Sequence, residues 1–138
     1  MKKYFFISGI MILLVILTAC GLVNAKVERA YLASDQNGAN RTDTFERESI
    51  FYLFVEVKNA NDDTELKAVW TLVESGGETL NTRLDETIIK TGSGTVTFSL
   101  DSDTDWQGGK YQVELYLDDE KQETFTFTVP EPATDVFG

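Results

Sequence analysis

The feature that most limits what this chain can become is a period-two alternation of apolar and polar residues, repeated in short segments between Val27 and Val129. Successive side chains of a strand point to opposite faces, so this pattern buries one face and wets the other. Segment two, Ser49–Lys58, places Phe51, Leu53, Val55 and Val57 on one face. Segment three, Leu66–Glu74, does the same with Leu66, Ala68, Trp70 and Leu72, and segment five, Gly94–Leu100, with Val96, Phe98 and Leu100. Segment six, Lys110–Leu117, turns Tyr111, Val113, Leu115 and Leu117 inward and Gln112, Glu114 and Tyr116 outward. Segment seven, Glu123–Val129, turns Phe125, Phe127 and Val129 inward. Segment one is Val27–Ala33; segment four, Thr79–Lys90, is more polar and reads as an edge strand broken near Asp85. Between them lie a polar loop, Ser34–Thr44, a Ser75-Gly76-Gly77 turn and a hairpin turn over Asp118–Lys121. Pro130 and Pro132 come only after the last segment, where a missing N–H costs no ladder bond.

Seven such strands within residues 26–130 have the size and rhythm of an immunoglobulin-like antiparallel sandwich. Trp70 falls mid-strand, where such folds bury a tryptophan. Tyr111 opens the sixth segment, where a tyrosine corner sends the hydroxyl back to upstream backbone. Val113 stands where antibody domains have their second cysteine, so packing alone must hold the sheets together. The expected fold is all-β, one domain over 26–130, after an N-terminal signal helix and before a disordered tail over 131–138.

The run Trp106-Gln107-Gly108-Gly109-Lys110-Tyr111-Gln112-Val113-Glu114-Leu115-Tyr116-Leu117-Asp118-Asp119 resembles a W-x-x-G-x-Y-x-V-x-L-Y-L-D-G segment of uncharacterised Ig-like domains in prokaryotic secreted proteins and lipoproteins. Ile50–Val55, Trp70 and Thr124–Val129 extend the resemblance over about Val27 to Val129. The chain departs from that pattern at Asp119, where glycine is usual, and at Gly108, where proline is common. The resemblance implies a fold and a compartment and carries no active site.

The N-terminus has its own layout: Lys2 and Lys3, an apolar run from Tyr4 to Leu17, then Leu17-Thr18-Ala19-Cys20. A basic start, an apolar stretch and small residues at a cleavage point form a secretory signal. The tetrapeptide resembles the lipobox of bacterial lipoproteins, which implies cleavage after residue 19 and acylation of Cys20. An uncleaved anchor is the second reading, since about 20 apolar residues span a bilayer; plain secretion is the third. All three place the remaining chain outside the cytoplasm. Cleavage would remove Lys2 and Lys3, leaving ten basic against 23 acidic side chains. A surface so acidic is repelled by anionic lipid, so the acyl chains would do the anchoring. Residues 20–25 are the lipidated cysteine and a short tether, reaching only ~15–20 Å at ~3.3 Å per residue. Gly21 rather than Asp after the cysteine resembles the signal for export to an outer membrane; inner and outer membrane both stay open.

Residue counts exclude much chemistry. With no histidine there is no Ser-His-Asp triad, Cys-His dyad or His-ligated zinc. A net charge of −11 argues against nucleic acid. Asp101-Ser102-Asp103-Thr104-Asp105 offers alternate carboxylates, but Trp106 and Gln112 stand where a calcium-binding EF-hand loop needs Gly and Glu. A looser calcium site with Asn61, Asp62 or Asp63 stays open, and no metal or cofactor is assigned. No carboxylate pair is placed for glycoside hydrolysis, and Gly92-Ser93-Gly94 lacks the helix of a phosphate loop. Tyr52, Phe54 and Tyr116 are the exposed-aromatic candidates for binding an envelope protein or a glycan, unless a neighbouring edge covers Tyr52 and Phe54.

The expectation is a non-enzymatic lipoprotein, anchored through Cys20 on the extracytoplasmic side of the cell or outer membrane, with an Ig-like binding or structural module. The alternative is an inhibitor or chaperone-like protein that blocks an envelope partner such as a protease by loop insertion or strand addition, using Ser34–Thr44 and Asp101–Asp105.

Overall fold

The computed structural model describes residues 24–132. The signal segment, Cys20 and residues 133–138 lie outside the described residues. Seven strands follow one another: β1 (Lys26–Ala33), β2 (Phe51–Lys58), β3 (Thr64–Ser75), β4 (Glu78–Thr91), β5 (Gly94–Leu100), β6 (Gly109–Leu117) and β7 (Glu120–Val129). All pairings between them are antiparallel. They make two sheets, β1-β2-β5 and β4-β3-β6-β7, so the fold is an Ig-like sandwich. β4 pairs with β3, whereas in a constant-type Ig domain the fourth strand joins the other sheet.

The alternation read from sequence is the alternation of burial, except that Phe54, Val69 and Thr71 at outward positions are covered too. Phe51, Leu53, Val55 and Val57 face Leu66, Ala68, Trp70, Val113 and Leu115 across the interior, all essentially inaccessible to water. Trp70 is 1% exposed, packed near Phe51 and edge-on to Phe127. Val96, Leu100 and Phe125 sit at the rim, half-buried against the same core. β4 is an edge strand, and its ladder with β3 slips between Trp70 and Thr71, leaving Leu84 as the extra residue beside Asp85.

Two turns are tighter than the sequence reading. Gly76-Gly77 and Asp118-Asp119 are two-residue hairpin loops whose central residues all have positive φ, the mirror-image turn that matches strand twist. The Asp118–Lys121 turn therefore shrinks to Asp118-Asp119, and β7 begins at Glu120. Asp118 is also tied to β3: its N–H donates to the Glu65 carbonyl at 2.8 Å, and its Oδ1 accepts the Glu65 N–H at 2.9 Å.

The polar connection after β1 does more than link strands. Ala33 bridges Arg41 on the β1 side, and Thr44 bridges Thr128 of β7 in parallel. The Phe45 N–H donates to the Thr128 carbonyl at 2.9 Å, which fixes the Phe45 ring inside the core. The ring meets Phe51 at 4.9 Å and Phe127 at 5.2 Å, both edge-on. Residues 41–45 thus cross from one sheet to the other and cover part of both edges.

Candidate functional site

Strand direction sorts the loops into two ends. Asn24 and Ala25, which lead into β1, lie beside Leu117, Asp118 and Glu120. At that end Ser93 Oγ accepts the Ala60 N–H at 3.0 Å, joining the 59–63 and 92–93 connections. The opposite end carries the long loops 34–50 and 101–108, bound together. Trp106 N–H donates to the Arg47 carbonyl at 2.7 Å, and Trp106 Nε1–H donates to the Ser49 carbonyl at 2.7 Å. The indole then stacks on Phe51, 4.5 Å between ring centres. Arg47 completes the join, donating to the Trp106 carbonyl and facing Asp105 at 3.7 Å.

Tyr111 sits beneath this junction. It is 1% exposed, and its hydroxyl donates to the Gln107 carbonyl at 2.6 Å, the tyrosine corner expected at this position. Burial pushes the phenol pKa up; the Arg47 charge pulls it down and the Glu131 charge adds to the rise. Gly109 makes the corner possible: its φ is +157°, and a Cβ there would overlap the Glu74 carbonyl oxygen of β3.

The acidic loop is turned in on itself. Asp101 Oδ1 accepts the Ser102 N–H at 2.7 Å and Ser102 Oγ accepts the Thr104 N–H at 3.2 Å, while Asp105 faces Arg47. Among the described residues no three His, Cys, Asp or Glu side chains are grouped so as to hold a metal ion.

The aromatic candidates separate. Tyr52 and Phe54 lie on the outer face of the three-stranded sheet, Tyr116 on the outer face of the four-stranded one, so the sandwich stands between them. Tyr116 is half-buried, with the Lys67 ammonium 4.5 Å over its ring. Phe54 is largely covered. Tyr31, its cross-strand partner, stacks on it at 5.3 Å, and Gly38, at φ +72°, brings the 34–41 loop down beside both rings. Asp35 shapes that loop by accepting the N–H groups of Asn40 at 2.7 Å and Ala39 at 3.1 Å. The Asn40 bond leads in holding the Asp35 carboxyl below its ordinary pKa.

What sequence reading missed is the group beside Phe54. The Arg41 guanidinium stands over the Tyr31 ring, its Cζ 3.8 Å from the centre, and both line an open groove of about 540 Å³ with Leu32, Asp43, Phe125 and Thr126. The groove offers a cation, a carboxylate, hydroxyls and aromatic faces. Its signal in sequence was slight: Tyr31 on the first segment and Arg41 in an otherwise small and polar loop.

No family model and no curated protein matches the chain. Solved structures do. An immunoglobulin-like protein from Pseudomonas aeruginosa superposes with a TM-score of 0.55 at 12% identity, over 79% of this chain and 99% of that one. The alkylpurine DNA glycosylase of Pseudomonas fluorescens, solved on DNA with an abasic-site analogue, gives 0.51 at 9% identity, over 77% of this chain and 30% of that one. At these identities the likeness is one of fold.

Proposed function

We propose that this protein is an extracytoplasmic lipoprotein, anchored through acylated Cys20, whose Ig-like domain is a non-enzymatic binding or structural module. The observation that carries the reading is the position of the only cysteine, directly after the apolar run and Leu17-Thr18-Ala19, six residues before β1 begins at Lys26. The strand directions say how a domain so anchored would be oriented. A chain entering β1 from a membrane would hold the 59–63, 92–93 and 118–119 turns near the bilayer. The 34–50 and 101–108 loops and the Arg41–Tyr31 groove would then be presented away from it. Asp62, Asp63, Asp118 and Asp119 share the near side with Lys26 and Lys58, so the acyl chains would do the anchoring.

Metabolic labelling with a palmitate analogue tests the anchor. The wild type should take label and Cys20→Ala should not; equal labelling would end the lipoprotein reading. Affinity capture of the detergent-solubilised protein tests the module. Recovery of envelope-assembly proteins supports it, whereas repeated recovery of a protease would favour an inhibitor.

A further inference from the structure

β4 is a free edge of the four-stranded sheet, and its two halves differ. Edge strands avoid unwanted pairing through bulges and local twists. Glu78–Leu84 has these: a register break opposite Leu72–Glu74, Asn81 at φ 48°, and the extra Leu84. Asp85–Thr91 has no bulge or twist; its only edge devices are the charges of Asp85, Glu86 and Lys90. Its ladder with β3 runs unbroken from Trp70↔Asp85 to Thr64↔Thr91. Asp85, Thr87, Ile89 and Thr91 lean toward the core and are half-buried, while Glu86, Ile88 and Lys90 are exposed on the outer face. Ile88, at 53%, is the most exposed large apolar side chain among the described residues.

This half-strand is complementary to itself. Two copies laid antiparallel about a twofold axis through Ile88 set Ile88 against the partner's Ile88. Glu86 then meets the partner's Lys90, and Lys90 meets the partner's Glu86. Thr87 faces the partner's Ile89, and Asp85 the partner's Thr91. Opposed residues must share a face, so neighbouring registers differ by a two-residue slide. Slides one way set Ile88 against the partner's Glu86, or Glu86 against the partner's Glu86. Slides the other way set Ile88 against the partner's Lys90, or Lys90 against the partner's Lys90. Only the Ile88-centred register joins apolar to apolar and opposite charges to each other, the cross-strand pairs that stabilise a sheet. Arg83 already holds Glu86 at 3.0 Å from the bulged side, and Lys90 has no ion pair among the described residues. β5, the other edge on this side of the sandwich, carries Thr95, Thr97 and Ser99 outward and has no charge to select a register.

We propose that the Asp85–Thr91 edge of β4 pairs with the same edge of a second copy of this chain, making one eight-stranded sheet across an isologous interface. Seven residues a side is a small contact, so the association is weak and reversible.

The test uses the full chain in density-matched detergent, followed by sedimentation. Glu86→Lys sets a lysine against the partner's Lys90 at two symmetric places, and Lys90→Glu does the reverse. Each should weaken self-association about tenfold, because like charges directly opposed destabilise a strand pair. An equimolar mixture of the two variants restores both ion pairs and should associate about as tightly as the wild type. Ile88→Cys, in a Cys20→Ala background, should form an interchain disulfide on mild oxidation, since directly opposed strand residues stand ~4.5–5.5 Å apart at Cα. Thr97→Cys on β5 should stay reduced. A monomeric wild type would overturn the proposal. So would charge variants that associate as the wild type does, a mixture no tighter than either variant alone, or preferential cross-linking at Thr97→Cys.

Discussion

Tyr111 and Tyr116 stand five positions apart on β6 and face opposite ways, one sealed under the loop junction and one beneath Lys67 at the surface. Removing a hydroxyl therefore asks the same chemical question in two environments. Tyr111→Phe loses the bond to the Gln107 carbonyl and should cost about 0.5–1.5 kcal/mol in a urea melt. Tyr116→Phe should cost less than about 0.5 kcal/mol. A larger loss at Tyr116 would mean that β6 is turned over. Alkali separates them again. The Tyr111 phenol titrates higher folded than unfolded, so its contribution is complete below the ordinary tyrosine pKa of about 10 and is lost as pH rises through the folded value. Stability plotted against pH should fall less steeply above about pH 10 in Tyr111→Phe than in the wild type. Both orientations were legible in the alternation. The cover over Phe54 was not, because it depends on a loop that returns to its own strand through Gly38 and Asp35, contacts that no periodicity encodes.

At the scale of elements, the β6–β7 hairpin works against its own backbone. Asp118 and Asp119 both hold positive φ, 47° and 68°, in a turn that favours glycine at its second position. Asp118 compensates through its two bonds to Glu65, whereas Asp119 has only a 3.9 Å approach to Lys67 and is well exposed. Asp119→Gly should therefore raise stability by about 0.5 kcal/mol, the left-handed strain relieved outweighing the entropy glycine adds to the unfolded chain. A thermal melt of the variant below that of the wild type would show that the Lys67 contact matters more than the backbone. The strands themselves were readable to within a few residues. The turn lengths were not, because Asp118-Asp119-Glu120-Lys121 is equally polar throughout and only the pairing of Leu117 with Glu120 marks where the bend lies.

For the molecule as a whole, seven alternating segments, Trp70 and the tyrosine corner carried the architecture. Which sheet β4 joins was not encoded in composition; it follows from the Gly76-Gly77 turn, which is too short to reach the other sheet. The largest omission was Phe45. It lies just past the polar Ser34–Thr44 loop and in no segment read as a strand, yet the ring fills the core between Phe51 and Phe127 and fastens the crossing segment to β7. Phe45→Ala should cost about 3–5 kcal/mol, a large part of the stability of a domain this size. A calorimetric midpoint close to the wild type would mean that residues 41–45 can leave without disturbing the sandwich. The site was less legible: Tyr52, Phe54 and Tyr116 stood out as aromatics on outward positions, but Phe54 is covered, none of the three lines the Arg41–Tyr31 groove, and their division between two outer faces depends on which sheet each strand joins.

The opposed placement of Lys26, at the start of β1, and Val129, at the end of β7, has a mechanical consequence. A pull between them runs along the strands, at right angles to the ladder bonds that join β1 to β2. Those bonds then share the load and must yield together, with β1 sliding as a unit, instead of opening one after another from an end. The same sandwich pulled from neighbouring strand ends would unzip. Pulled from Lys26 and Val129, it resists by shear.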